Sequence, residues 1–146
     1  MIDKITLDYI DEYNHLGFKL NKNFSYLFNL EETINKPYNY IYGYYKNDKL
    51  IGFIHILLTV DEADIINIIV NEQYRKLGIG KKLIEYTIKK HQLKALNLEV
   101  RESNDAVNFY QKMGFKTIRK IPNYYRDEDA LFMKKVIKWK IYIYLL

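Results

Sequence analysis

Hydrophobic and polar positions along this chain follow two periods, and the places where one gives way to the other mark its elements. Ile2 to Ile5 alternate apolar with polar, the two-residue period of a short strand. From Leu7 the period lengthens: Ile10, Tyr13 and Leu16 share one side of a helix that Thr6 can cap and Gly17 can end. Phe24 to Ile34 repeats the pattern, with Tyr26 or Leu27, Leu30 and Ile34 at helical spacing, and Pro37 stops it. Three strand-like runs follow, Tyr38 to Lys46, Leu50 to Val60 and Asp64 to Val70, joined by Asn47-Asp48 and Asp61-Glu62. Short polar turns between consecutive strands imply an antiparallel meander.

The stretch from Ile65 to His91 carries the strongest signal. Ile65 to Val70 is a β-branched run fit for a buried strand, and Gly78 and Gly80 sit where that strand must turn into a helix. The helix predicted over Gly80 to Lys90 sets Leu83, Ile84 and Ile88 on one face and Lys81, Lys82, Glu85, Lys89 and Lys90 on the other. Ala95 to Arg101 alternates again, with Leu96, Leu98 and Val100 opposite Asn97, Glu99 and Arg101. Strand, helix and strand make one parallel crossover. Ser103 or Asn104 then caps a helix with Ala106, Phe109, Tyr110 and Met113 on one face and Gly114 past its end. Phe115 to Ile121 and Ala130 to Ile137 close the sheet as an antiparallel pair around a polar loop, Pro122 to Asp129. The expected fold is an α/β (α+β) mixed sheet, mostly antiparallel with one parallel crossover, flanked by about four helices. Residues 1–137 form the domain and residues 138–146 an apolar extension. Its alternation from Trp139 to Leu146 reads as one more strand, open to exchange or dimerisation, so the chain is expected as a monomer or homodimer.

A chain of 146 residues, 49% hydrophobic and 28% charged, makes one globular domain with a real core. The absence of cysteine removes disulfides, thiolate metal sites and a cysteine nucleophile together. His15, His55 and His91 lack metal-ligand spacing, so no metal is expected, and His55, in an apolar strand, reads as a core histidine. No run reaches the ~20 apolar residues of a membrane span, and the expected location is the cytoplasm. A net charge of +5 favours acidic partners only weakly, because the two signs are interspersed. The 15 tyrosines lack the basic stripe that direct nucleic-acid binding needs.

The strand-to-helix turn is an anion seat by its chemistry. First-turn amides have no intrahelical acceptor and lie at the positive end of the helix dipole, so a phosphate placed there gains several hydrogen bonds. Arg75, Lys81 and Lys82 add positive charge. Arg75-Lys76-Leu77-Gly78-Ile79-Gly80 fits the Q/R-x-x-G-x-G/A motif, and with Asn104, Tyr110 and Gly114-Phe115 downstream the chain from Ile2 to about Ile137 resembles the GCN5-related N-acetyltransferases (GNAT). Within that family, the segments Glu62 to Val70, Leu98 to Asn104, Tyr124-Tyr125 and Glu128 to Met133 are similar to the ribosomal-protein alanine N-acetyltransferases (RimI-like). The family sets its asparagine one residue farther from the tyrosine than Asn104 is from Tyr110, and the register counted back from Tyr110 falls on Ser103.

The resemblance implies acetyl transfer from acetyl-CoA to an amine by direct attack, without a metal. It assigns acetyl-CoA to Ile68, Ile69 and Val70 along the strand, to Arg75, Lys76, Leu77, Gly78, Ile79, Gly80 and Lys81 at the turn, with the amides from Leu77 to Lys82 on the pyrophosphate, and to Asn104 and Tyr110. Glu99 is the candidate base, with a surface carboxylate paired to Arg101 as the alternative, and Tyr110 is the candidate acid for the departing thiolate, with core packing as the alternative. Asn67, Tyr124 and Tyr125 are candidates for holding the acceptor. The expected acceptor is a protein N-terminus, that of a ribosomal protein beginning with alanine. A small-molecule amine acetyltransferase and a non-catalytic CoA-binding module are the other readings.

Overall fold

The computed structural model describes residues 1–139; the strand expected over Trp139 to Leu146 therefore falls almost wholly outside the described residues. A seven-stranded sheet runs in the order β1-β2-β3-β4-β5-β7-β6. Its strands are β1 (Ile2–Lys4), β2 (Asn39–Lys46), β3 (Lys49–Leu58), β4 (Glu62–Val70), β5 (Ala95–Arg101), β6 (Lys116–Tyr125) and β7 (Glu128–Val136). The helices are α1 (Ile10–Phe18), α2 (Phe24–Leu27), α3 (Leu30–Ile34), α4 (Ile79–His91) and α5 (Ala106–Lys112). The meander β2-β3-β4 is antiparallel as expected, and β4 and β5 are the parallel pair.

The two faces of the sheet bury different cores. One face packs under α4 and α5, with Ile54, Ile56, Leu83, Ile84, Leu96, Leu98 and Tyr110. The other packs under α1 to α3, with Tyr13, Phe24, Phe53 and Ile69, and Tyr13 stacks flat on Phe53 at 4.8 Å. Gly17 belongs to this second core. It lies inside α1 rather than past its end, and Phe24 occupies the space a Cβ there would need, 2.0 Å from the ring. The sheet end of α1 is fixed by Glu12, whose carboxylate accepts the Leu50 amide at 2.6 Å.

Three local expectations are corrected, and the choice between Ser103 and Asn104 is resolved. Thr6 makes no side-chain cap; a 3-10 turn over Leu7–Tyr9 comes between it and α1. The helix predicted from Phe24 to Ile34 is two pieces, because Asn29 caps α3 by accepting the Glu32 amide at 3.0 Å, and the Phe28 carbonyl freed by the break accepts the Tyr13 hydroxyl at 2.9 Å. The loop predicted from Pro122 to Asp129 is mostly strand: β6 lies at the sheet edge, where a proline removes no needed ladder bond, and the register shift between Ile121 and Tyr125 absorbs it. Ser103 does not cap α5, since its amide and hydroxyl both go to Glu128. Asn104 accepts the Ala106 amide at 2.8 Å instead.

One irregularity opens the sheet. Opposite His55 and Ile56, β4 fits one residue too many: His55 pairs with Asn67 and Ile56 with Ile65, leaving Ile66 as a bulge. Parallel pairing with β5 ends in the same region, after Asp64 and Asn97. Beyond it β4 and β5 diverge, and the β5-facing edge of β4 has no strand partner.

Candidate active site

The gap between β4 and β5 is a slot through the sheet. A cavity of about 340 Å³ lies among Asp64, Ile66, Asn97, Glu99, Tyr124 and Phe132. A second, of about 200 Å³, touches Asn67, Ile68, Glu99, Asn104, Tyr110 and Tyr125, with Leu20 at its rim. Glu99 and Asn67 reach it from the α1–α3 side, while Tyr110 belongs to the core under α4 and α5. Chemistry on the two faces can therefore meet here.

The anion seat stands at the start of α4. Gly78 takes φ 79°, a left-handed conformation that a Cβ would strain, and open space surrounds the position where that Cβ would be. The helix's first bond runs from the Lys82 amide to the Gly78 carbonyl at 3.0 Å. The amides of Ile79, Gly80 and Lys81 thus remain for an anion, whereas that of Lys82 is engaged within the helix. Arg75 turns back, its Nε donating to the Val70 carbonyl at 3.2 Å, which ties the turn to the end of β4. Gly80 is needed for a different reason: the Phe109 ring lies 3.1 Å from where its Cβ would stand.

Glu99 projects from β5 opposite Phe132 and is exposed. It makes no ion pair among the described residues, because the Arg101 guanidinium turns to Asp127 at 2.7 Å and Glu128 at 3.1 Å. Its neighbour is Tyr124, whose phenol is pushed up to about 12, first by hydrogen bonding to the Glu99 carboxylate and then by desolvation. Tyr125 stands edge-on to Tyr124 at 4.9 Å, with the Arg101 guanidinium 4.3 Å from its ring centroid. Tyr110 is buried, 8% exposed, between Phe109 and Phe115, and burial raises its hydroxyl to about 12. Of the two candidates for the family asparagine, Asn104 lines the slot and Ser103 is held by Glu128. His55 is a core histidine as expected, 3% exposed.

The structure thus brings Glu99, Tyr110, Asn67, Asn104, Ile68 and Tyr125 to one cavity, with Tyr124 beside Glu99 in the other. Leu20, Asp64, Phe109 and Phe132 are neighbours that the sequence reading missed. The pairing of Phe109 with Gly80 had one local signal, an aromatic on the residue before Tyr110. No group of His, Cys, Asp or Glu among the described residues is arranged to hold a metal ion, and no helix among them is long and apolar enough to cross a membrane.

The profile of the acetyltransferase (GNAT) domain family matches residues 9–135. An N-alpha-acetyltransferase of Sulfurisphaera tokodaii is 41% identical over a stretch covering 51% of this chain and 48% of that protein. A putative [ribosomal protein bS18]-alanine N-acetyltransferase of Bacillus subtilis is 36% identical, covering 70% of this chain and 72% of its own length. The match to the archaeal protein thus spans about half of that protein's length. Among solved structures, an aminoglycoside 6'-N-acetyltransferase complexed with coenzyme A superimposes with a TM-score of 0.82 at 18% identity, covering 97% of this chain and 99% of that one, which shows a common fold.

Proposed function

The chain belongs to the GNAT acetyltransferase family, and from that premise we propose that it moves the acetyl group of acetyl-CoA to the N-terminal α-amine of a protein. The acceptor it fits best is a ribosomal protein that begins with alanine. The observation that carries the reading is the slot itself, where a carboxylate from one face of the sheet and a buried tyrosine from the other line a single cavity. The acceptor class is supported by the similarity to relatives named for N-terminal acetylation.

Acetyl-CoA fits the site as a substrate. The free amides of Ile79, Gly80 and Lys81 suit its pyrophosphate, and the unpaired edge of β4 from Ile68 to Val70 suits its amide-bearing arm, as an added strand would. A backbone amide near Val70 is placed to stabilise the oxyanion of the tetrahedral intermediate. The attacking amine must be neutral, and an α-amine, with a pKa of about 7.7–8.0, asks little of its base. Glu99, free of any ion pair among the described residues, takes that proton directly or through water. The nitrogen adds to the thioester carbonyl to give that tetrahedral intermediate, its remaining extra N–H proton passes to solvent water, and collapse of the intermediate breaks the C–S bond with the electron pair leaving on sulfur. Because burial holds Tyr110 at about 12, it keeps its proton at neutral pH and steadies the thiolate as a hydrogen-bond donor. Tyr124 and Tyr125 border the cavity on the Glu99 side, where the acceptor chain would leave the slot.

Purified protein is mixed with acetyl-CoA and a panel of an Ala-starting peptide, an N-blocked lysine peptide, polyamines and aminoglycosides. We expect one acetyl group on the α-amine of the Ala peptide, with kcat/KM at least ~10-fold above any small amine. Turnover of the small amines alone would sink the peptide reading.

A further inference from the structure

Behind the slot, on the α1–α3 side of the sheet, polar side chains form a chain that the reaction above leaves unused. Asn39, at the start of β2, donates from Nδ2 to the Pro37 carbonyl at 3.0 Å. That bond fixes the amide, so its Oδ1, 2.8 Å from His55 Nε2, can only accept. His55 therefore carries its proton on Nε2 and leaves Nδ1 as a bare lone pair. Burial, with the Lys36 charge adding, lowers His55 to about 4 and keeps the ring neutral. Nδ1 is enclosed and has no partner among the described residues.

The complement sits one strand over. Asn67 is the register partner of His55, so the two side chains share a face, with Cβ atoms roughly 4.5–5.5 Å apart in such pairs. Asn67 Nδ2 is likewise enclosed and without a partner. Its Oδ1 is not enclosed and takes no hydrogen bond within the described residues, and the residue lines the cavity shared by Glu99 and Tyr110. An enclosed acceptor on His55 and an enclosed donor on Asn67 thus belong to paired side chains on one face of the sheet. Asn14, on the helix covering these strands, adds another enclosed acceptor, its Oδ1. A water that donates to the acceptors and accepts from Asn67 satisfies this set.

We propose that Asn39 and His55 are positioning residues: the bare Nδ1 of His55 holds Asn67 Nδ2 inward through a bridging water, so that Asn67 Oδ1 faces the slot and accepts an N–H of the amine substrate. The role rests on the acetyl-transfer reading and holds for any primary amine, peptide or small molecule. Without the lock the Asn67 amide turns over and offers a donor to a donor.

Two measurements on the full chain test it. Nitrogen-15 NMR of the histidines, read without substrate, is expected to find His55 protonated at Nε2 with Nδ1 bare, and Asn39→Leu to release the other tautomer. Steady-state kinetics with the best amine of the panel is expected to show His55→Phe raising the amine KM by about 10-fold, the effect of one net hydrogen bond, with the acetyl-CoA KM and kcat within ~2-fold. His55→Gln, which keeps an acceptor, is expected to restore most of that loss. A proton on Nδ1 in the unsubstituted protein, an unmoved amine KM, or an acetyl-CoA KM that rises in step would overturn the proposal. Absence of turnover with every amine overturns the reading it rests on, and the tautomer, read without substrate, tells the two failures apart.

Discussion

Replacing Tyr110 with phenylalanine separates chemistry from packing at this position. The ring meets Phe109 at 5.4 Å and Phe115 at 5.6 Å, both edge-on, and phenylalanine keeps both contacts. The hydroxyl donates to nothing among the described residues, so its removal orphans no partner. Stability should therefore change by less than about 0.5 kcal/mol, a Tm shift within ~2 °C. Catalysis should change far more. With the phenol at about 12, its ionised fraction at pH 8 is only about one in ten thousand, so under the proposed mechanism essentially every molecule would present a donor to the leaving sulfur. Loss of a donor aimed at charge developing in an enclosed site costs ~10²–10³ in rate, about 2.7–4 kcal/mol. The expected result is a kcat lower by about 100-fold, with the KM of each substrate nearly unchanged. A thioester with a more acidic leaving thiol should recover part of the loss. Stopped-flow or thiol-release assays read the rate, and calorimetry reads Tm. A kcat within threefold of the unsubstituted protein, or a loss that comes with a Tm lower by more than ~5 °C, would refute the donor role.

Glu99→Gln should lower kcat/KM by about 10²-fold near pH 7, and the deficit should narrow above pH ~9, where an α-amine is already neutral; a deficit constant with pH argues against a proton acceptor. Gly17→Ala trades a small gain in helix propensity for a clash with Phe24, 2.0 Å from the added carbon. The clash wins, and chemical denaturation should show about 1–3 kcal/mol of lost stability. His55 is held neutral, its pKa lowered from 6.5 to about 4, so its contribution is complete above pH 6.5 and is lost as pH falls through 4. His55→Gln should flatten the stability–pH slope in that window, and an unchanged slope would show that His55 does not supply it.

Residues that bend the backbone by themselves were readable from sequence, and residues that meet through packing were not. Gly78 announces the turn because its φ of 79° favours glycine, and Glu99 is a candidate because the family resemblance points to the polar side of the apolar-polar alternation from Ala95 to Arg101. The bulge at Ile66 left no mark: Ile-Ile-Asn-Ile-Ile-Val is β-branched almost throughout, so one extra residue interrupts no visible period. The break between α2 and α3 had a local sign in Asn29 and Glu32, an asparagine cap followed by an acid three residues on, and the apolar spacing overrode it. The strand through Pro122 was hidden because only the order of strands reveals that β6 is an edge. Leu20, in the turn after α1, Asp64 of β4 and Phe132 of β7 reach the cavities from three separate segments, a juxtaposition that no local pattern encodes.

The short parallel ladder has a thermodynamic consequence. Among the described residues, only the rungs Glu62–Ala95, Ala63–Leu96 and Asp64–Asn97 of the sheet join the leaf β1–β4 to the leaf β5–β7. A ligand that lies in the slot and bonds to both leaves stitches them together, and at 100 times its Kd it adds about 2.7 kcal/mol to the folded state. That is a large share of the 5–15 kcal/mol that usually separates folded from unfolded chains, roughly speaking. The stability of the folded chain is therefore expected to rise with the concentration of any ligand that spans the slot.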